Sequence, residues 1–417
     1  MISSSGASSA DERCCWRMKI NTDGKHVKTV KSLRLVVAAL CGLYTALNPT
    51  FAQTWTQQTN APSGTWVSSS ADGTKLVALT SSGIATSTNS GVTWTIATGI
   101  PQNMWRAVAS SADGTRLVAI SYPASIYANY ISTNSGVTWN ALTNALDAGS
   151  GWWAIAGSAD GTKLVAATEQ HGLIVTSTNS GATWMSNNVP PSGQWVAVAS
   201  SADGSRLVAM QMGGAVYTST NSGTTWTQPS APNASWTSVA SSADGTKLVA
   251  VAGSSSIYTS TNSGANWRMN NAPSQSYTSV ASSADGNKLV AAAKWAGLIY
   301  TSTDAGANWT SNNVPPGQTW NSVASSADGN KLVTIGTMVC TRQSTPVPLL
   351  NLTPSAGELA LAWIVPSMEF VLQQNSDLST THWVTLTDPP VLNFTNLQNQ
   401  VMLLRSNSQN YYRLLCP

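Results

Sequence analysis

Between residues 53 and 346 of this 417-residue chain two carboxylates stand apart from the other acids, Asp147 and Glu169. Hydrolysis of a glycosidic bond needs such a pair. One carboxyl protonates the leaving oxygen, and the other attacks the sugar or activates a water. With His171 two positions beyond Glu169, they make the catalytic candidates Asp147, Glu169 and His171. Much argues against chemistry. Between residues 53 and 346, Glu169 is the one Glu, and the other eight acids recur at fixed places in a repeat. Beyond the N-terminal leader the histidines are His171 and His382, which fall in different expected domains, so no His cluster is offered for zinc. The repeated Asp turns lack the successive acids of a calcium loop. No nucleophile elbow or phosphate loop occurs. The expectation is a non-catalytic protein with no metal and no cofactor.

The second chemistry on offer is binding by aromatic and polar side chains. Trp153, Trp295, Tyr127, Tyr130, Glu169, His171 and Lys294 all depart from the repeat and are the candidate ligand contacts. Other aromatics keep the repeat's rhythm: Trp105, Trp152, Trp195, Trp236, Tyr277 and Trp320 each stand eight positions before a turn Asp, and Trp66 six before. Such a ring provides either stacking platforms for sugar or peptide or packing between repeated units, and the regular recurrence favours packing. Eleven basic and ten acidic residues between 53 and 346 leave no electrostatic footprint for nucleic acid. The seven Lys/Arg at 75, 116, 163, 206, 247, 288 and 331 are each read as sitting beside their own turn Asp.

The elements that must position these side chains come from the repeat. A turn reading S-A-D-G-(T/N/S)-(K/R)-L is centred on Asp72, Asp113, Asp160, Asp203, Asp244, Asp285 and Asp328, 41 to 47 residues apart. A second element, S-T-N-S-G-x-T-W or a close variant, ends at Trp94, Trp139, Trp184, Trp226, Trp267 and Trp309. Each unit reads as four short strands separated by Asp, Asn and Gly turns. A period of this length built from strands implies a propeller. The seventh unit lacks its closing Trp strand, and Thr54-Trp55-Thr56 stands alone ahead of the first. The fold class expected is therefore all-β: a seven-bladed β-propeller over 53–345, closed by an N-terminal strand, then a small β-sandwich over 346–417. The turns between first and second and between third and fourth strands share one nearly invariant face. The remaining loops form a variable face, with the departures concentrated on blades 2, 3 and 6.

The S-T-N-S-G-x-T-W element resembles the Asp-box of sialidase-type repeats, with Asn in place of the acid at 89, 134, 179, 221 and 262 and Asp only at 304. It is similar also to repeats of photosystem II assembly-factor-like propellers and of oligoxyloglucan-cleaving ones. The sialidase resemblance implies an arginine triad, a Tyr–Glu pair and an acid/base Asp. Arg106, Arg116, Arg206, Arg268 and Arg342 do not supply the triad on one face. The assembly-factor resemblance implies docking of a protein partner through a charged patch, for which the balanced charge here leaves little. In residues 349–417, F-V-L-Q-Q-N-S-D-L-S-x-x-x-W and the terminal Y-Y-R-L resemble C-terminal immunoglobulin-like modules of exported bacterial proteins, which implies an accessory or tethering role.

Residues 1–52 read as a signal peptide with an upstream extension: basic residues precede an apolar run over 35–47, and Thr50-Phe51-Ala52 offers a cleavage site, with Met1 or Met18 as the start. No later segment is long and apolar enough to span a membrane. The expectation is an exported monomer, extracellular, periplasmic or at the cell surface, binding a glycan or protein, with a protein-docking scaffold as the alternative.

Overall fold

The computed structural model describes residues 18–20 and most of 54–415. Residues 1–17, 21–53, 102–103, 122–128, 143–150, 169–171, 188, 190–192, 254–255, 296, 345–349, 356–357, 367–368, 378–379, 381, 405–409 and 416–417 lie outside the described residues. Every described regular element is a strand. Blades 1 to 7 begin with inner strands Gly64–Ser69, Trp105–Ser110, Trp152–Gly157, Trp195–Ser200, Ala234–Ser241, Tyr277–Ser282 and Trp320–Ser325. Each is the start of an antiparallel meander running outward from the axis.

The second strands explain why no blade is stable alone. Leu76–Thr80, Leu117–Ser121, Leu164–Thr168, Leu248–Ala252 and Leu289–Ala293 are buried along their whole length. Their Leu-Val-Ala sequences do not alternate with polar residues because neighbouring blades cover both faces. The core is accordingly a set of wedges between blades rather than one mass. One wedge, for example, joins Val77, Leu79 and Ile84 of blade 1 to Val108, Leu117 and Ala119 of blade 2. Another joins Val333, Ile335 and Val339 of blade 7 to Val67, Leu76 and Ala78 of blade 1.

Closure takes the form expected. Thr56–Gln58 runs antiparallel to Val339–Gln343 and supplies the outer strand of blade 7. A second closure runs around the axis. The turn alanines are joined by backbone N–H to carbonyl bonds in an unbroken circle: Ala71 to Ala112, Ala112 to Ala159, Ala159 to Ala202, Ala202 to Ala243, Ala243 to Ala284, Ala284 to Ala327, and Ala327 back to Ala71, all 2.6–2.8 Å.

One departure from regular blades occurs in blade 4, whose outer strand is reduced to a single bridge between Thr218 and Thr227. Pro229 follows two residues later and has no N–H to extend the ladder. In compensation the second strand of blade 4 runs on to Gly214 and pairs Met212 with Ser235 of blade 5, joining the two blades into one sheet.

The Ala-Asp-Gly turns are built alike. In blade 2 the Asp113 carboxylate accepts from the Ser111 hydroxyl at 2.6 Å, the Thr115 N–H at 3.0 Å and the Thr115 hydroxyl at 2.8 Å. Gly114 follows with φ 65°, and a Cβ there would meet Lys75 Cβ of blade 1 at 2.8 Å, so glycine is required twice over. The lysine corrects the sequence reading. Lys75 does not stay beside Asp72; its ammonium donates to the Asp113 carbonyl at 2.9 Å and to Ser135 Oγ at 3.2 Å, both on the next blade. Lys163, Lys247 and Lys288 reach forward in the same way, and Arg116 and Arg206 donate to Ser180 and Ser263 of the following blade. The basic ring is a set of inter-blade staples.

These turns make acid the condition to test. Partial burial works to raise the Asp113, Asp160, Asp203 and Asp244 carboxyls, but the serine, backbone and threonine or serine donors outweigh it and hold all four below the ordinary value of 3.8. A lowered folded pKa contributes stability that is complete above the unfolded value and is lost as pH falls through the folded one. The melting temperature should therefore stay level from neutral pH through mild acid and fall below about pH 4. Asp113→Asn should shallow that acid limb in a melting series; an identical limb would refute the assignment.

The C-terminal unit is a sandwich of two four-stranded sheets. Asn351–Ser355, Glu358–Ile364, Gln398–Leu404 and Val391–Asn393 form one, and Val371–Asn375, Val384–Thr385 and Asn410–Leu415 with Met18–Ile20 at its edge form the other. Sequence patterning anticipates five of these strands. It misses Asn351–Ser355 and Val391–Asn393, which Pro354 and Pro389-Pro390 disguise as turns, and Met18–Ile20, read as leader. Leu361, Trp363, Leu372, Val401, Tyr412 and Leu414 fill the space between the sheets.

Candidate functional site on the variable face

Each inner strand carries one extra residue near its start, where the ladder to the second strand shifts register. A bulge re-aims one side chain away from the regular alternation. The seven bulge residues are Thr65, Arg106, Trp153, Val196, Thr237, Thr278 and Asn321. On blades 5 to 7 they tie one blade to the next. Thr237 Oγ1 donates to the Tyr277 carbonyl at 3.0 Å, Thr278 Oγ1 to the Trp320 carbonyl at 2.9 Å, and Asn321 Nδ2 to the Gly64 carbonyl at 3.0 Å.

Blades 2 and 3 replace these small ties with a stack. The Arg106 guanidinium lies 3.3 Å from the centre of the Trp153 ring, and Trp153 packs onward against the cluster holding Val196 of blade 4. Such a cation–π contact is worth roughly 0.5–2 kcal/mol, more when water is excluded. Met104, two residues before Arg106 and 65% exposed, sets an apolar side chain at the same loop. Sequence reasoning singles out Trp153 for breaking the rhythm and passes over Arg106, which it counts only among the arginines. The available signal was position: Arg106 occupies the place held by Thr or Asn on four other blades.

The regular aromatics are packing. Trp152, Trp195, Trp236, Tyr277 and Trp320 are all fully buried. Trp195, Trp236 and Trp320 donate their indole N–H to the carbonyls of Gly172, Gly214 and Gly297, each on the preceding blade. Trp195 meets Tyr217, Trp236 meets Tyr258 and Tyr277 meets Tyr300 edge-on, with ring centres 5.1–6.0 Å apart. They offer no stacking platform to a ligand.

The other candidates are distributed as follows. Tyr130 opens the third strand of blade 2, half-buried, edge-on to Trp105 at 5.8 Å. Trp295 projects from the tip of the blade 6 hairpin, 74% exposed, with the Lys294 ammonium 5.0 Å from its ring. Trp153 and Trp295 stand on blades 3 and 6, so they make two separate contacts rather than one cluster. Tyr127, Asp147, Glu169 and His171 lie outside the described residues. Among the described residues no group of His, Cys, Asp or Glu is placed to hold a metal ion, and no helix is long and apolar enough to cross a membrane.

No protein-family model matches the chain, and no curated protein matches it by sequence. Solved structures do. YCF48 from Cyanidioschyzon merolae aligns with TM-score 0.55 at 14% identity over 70% of this chain and 98% of its own. A structure described as YCF48 bound to D1 peptide aligns with TM-score 0.53 at 17% identity over 74% and 98%. The β-propeller domain of Cps50 (Swd1) from Myceliophteria thermophila aligns with TM-score 0.53 at 13% identity over 70% and 100%. At these identities the likeness is one of fold: the chain carries a β-propeller of the kind these proteins share.

Proposed function

We propose that this is an exported, non-catalytic binding protein that takes a segment of a protein partner on the variable face of its propeller. One observation carries the reading. Among the described residues, the departures from the repeat include exposed apolar side chains on that face (Met104, Trp295 and Met212, the last 54% exposed) and the Arg106–Trp153 stack. The opposite face is committed to staples between blades. Rigid scaffolds place recognition on the loops freed from structural duty. A propeller of similar fold described with a bound peptide supports the choice of a protein partner. A glycan is the second reading, favoured by exposed Trp295 beside Lys294, an indole face of the sort that stacks on sugars.

A displayed random-peptide library selected on the full chain is the test, run beside a glycan array assayed for both binding and cleavage. Peptides that bind, and lose about tenfold or more in affinity on Arg106→Ala with Trp153→Ala, support the reading, since anchors of this type dominate interfaces. Glycan hits sensitive to Trp295→Ala replace it with the lectin-like reading. Sugar cleavage abolished by Asp147→Asn or Glu169→Gln would overturn the non-catalytic assignment.

A further inference from the structure

The sandwich is seated on the axis of the propeller. Ala71 and Ala327 are buried in one cluster with Val365, against which Ala112, Ala284, Ile364, Leu392 and Leu397 pack. Ala159, Ala202 and Ala243 are buried in a second, against which Ala112, Ala284, Phe394 and Leu397 pack. All seven alanines of the hydrogen-bonded circle are thus covered by sandwich residues, and Leu397 belongs to both clusters.

The covering turn is built to hold its shape. The Asn393 side-chain oxygen accepts from the Thr395 N–H at 2.9 Å and from the Thr395 hydroxyl at 2.6 Å. The Leu397 N–H donates to the Asn393 carbonyl at 2.9 Å, and the Leu397 carbonyl accepts from the Val365 N–H at 3.0 Å. Leu397 has φ 55°; the other described non-glycine residues with positive φ are serines and one alanine in the Asn-Ser-Gly-type turns. Glycine or asparagine takes such a conformation at less cost. A bulky side chain kept in this conformation signals that the side chain itself is wanted, and here it packs against both groups of turn alanines.

We infer that the C-terminal sandwich is an axial stopper. It is a built-in partner fitted to this ring, shutting the axis on the invariant face so that ligands approach the axis from the variable face alone. This structural role stands beside the accessory or tethering one that the sequence resemblance implies. The packing of the two units carries this, whatever the variable face binds.

The test uses the full chain with all native cysteines replaced by serine, Ala243→Cys as a thiol probe, and a protease site inserted within 345–349. The stopper requires that the nicked sandwich co-elute with the propeller at micromolar concentration. It also requires that the introduced thiol react with a maleimide at least about tenfold faster once Phe394 and Leu397 are both changed to Asp. Circular dichroism of the released sandwich checks that it stays folded, and Leu397→Ala serves as a milder variant. Leu397→Gly decides between side chain and backbone. Weaker retention of the nicked sandwich supports the stopper. Unchanged retention with a raised melting temperature means that only backbone strain was relieved and overturns it, as does spontaneous separation of the unmutated nicked chain.

Discussion

Deleting Trp55–Gln58 should convert Cys340 from an inert thiol to a reactive one and lower the melting temperature by on the order of 10 °C. Cys340 lies on the third strand of blade 7, fully buried and opposite Gln57 of the closing strand. Burial pushes its thiol up to about 11 from 9.0. Two pKa units alone leave about a hundredfold less thiolate at neutral pH, and the closing strand adds a steric screen. The deletion also removes Trp55, which packs with Trp320, Val323 and Ile299. Losing a buried tryptophan of this kind costs about 3–5 kcal/mol. With the remaining cysteines changed to serine, disulfide-exchange kinetics read Cys340 alone. A gain on the order of 100-fold in rate is expected from exposure of the thiolate. No change in either rate or melting temperature would mean that blade 7 is complete without its N-terminal strand.

Trp320→Ala and Trp295→Ala should differ sharply although they make the same chemical change. Trp320 is fully buried between blades 6 and 7 and donates to the Gly297 carbonyl at 2.9 Å. Truncation leaves both a cavity and an unpaired buried carbonyl, so a loss of about 3–5 kcal/mol is expected. Trp320→Phe keeps most of the apolar area and should recover more than half of it. Trp295 has three quarters of its surface in water, and its removal should change stability by less than about 0.5 kcal/mol. Denaturant titration of the three variants measures this directly. Equal losses at 295 and 320 would show that the hairpin tip is part of the fold and not a surface kept for a ligand.

The repeat itself was plain in the sequence because Asp-Gly and Asn-Ser-Gly turns need left-handed residues at fixed spacing, and few residue types serve there. Ring closure was plain for the same reason: a repeat lacking its last strand and a spare strand at the front can be counted. The inner aromatics carried their role in their regularity. What the sequence hid depends on which blade a side chain faces. Lys75 is three residues from Asp72 along the chain, and only the packing of blades shows that its ammonium belongs to Asp113 and Ser135. Arg106 meets Trp153 through a register shift that periodic counting cannot see. Nor does anything in residues 391–397, where Val391, Leu392, Phe394 and Leu397 alternate with Asn and Thr like any short strand and turn, announce that Phe394 and Leu397 pack against the alanine circle.

A ring of near-identical units joined by identical local bonds, as the alanine circle is, contains nothing that counts its members. Loss or gain of one whole repeat would leave the pattern of the circle's bonds unchanged while altering its diameter. Leu397 and its neighbours touch all seven units at once and so are the part of the molecule sensitive to that diameter. The sandwich is in this sense a gauge. Its contacts are spread over the whole circle, so a change of diameter would be felt there before it was felt at any one seam.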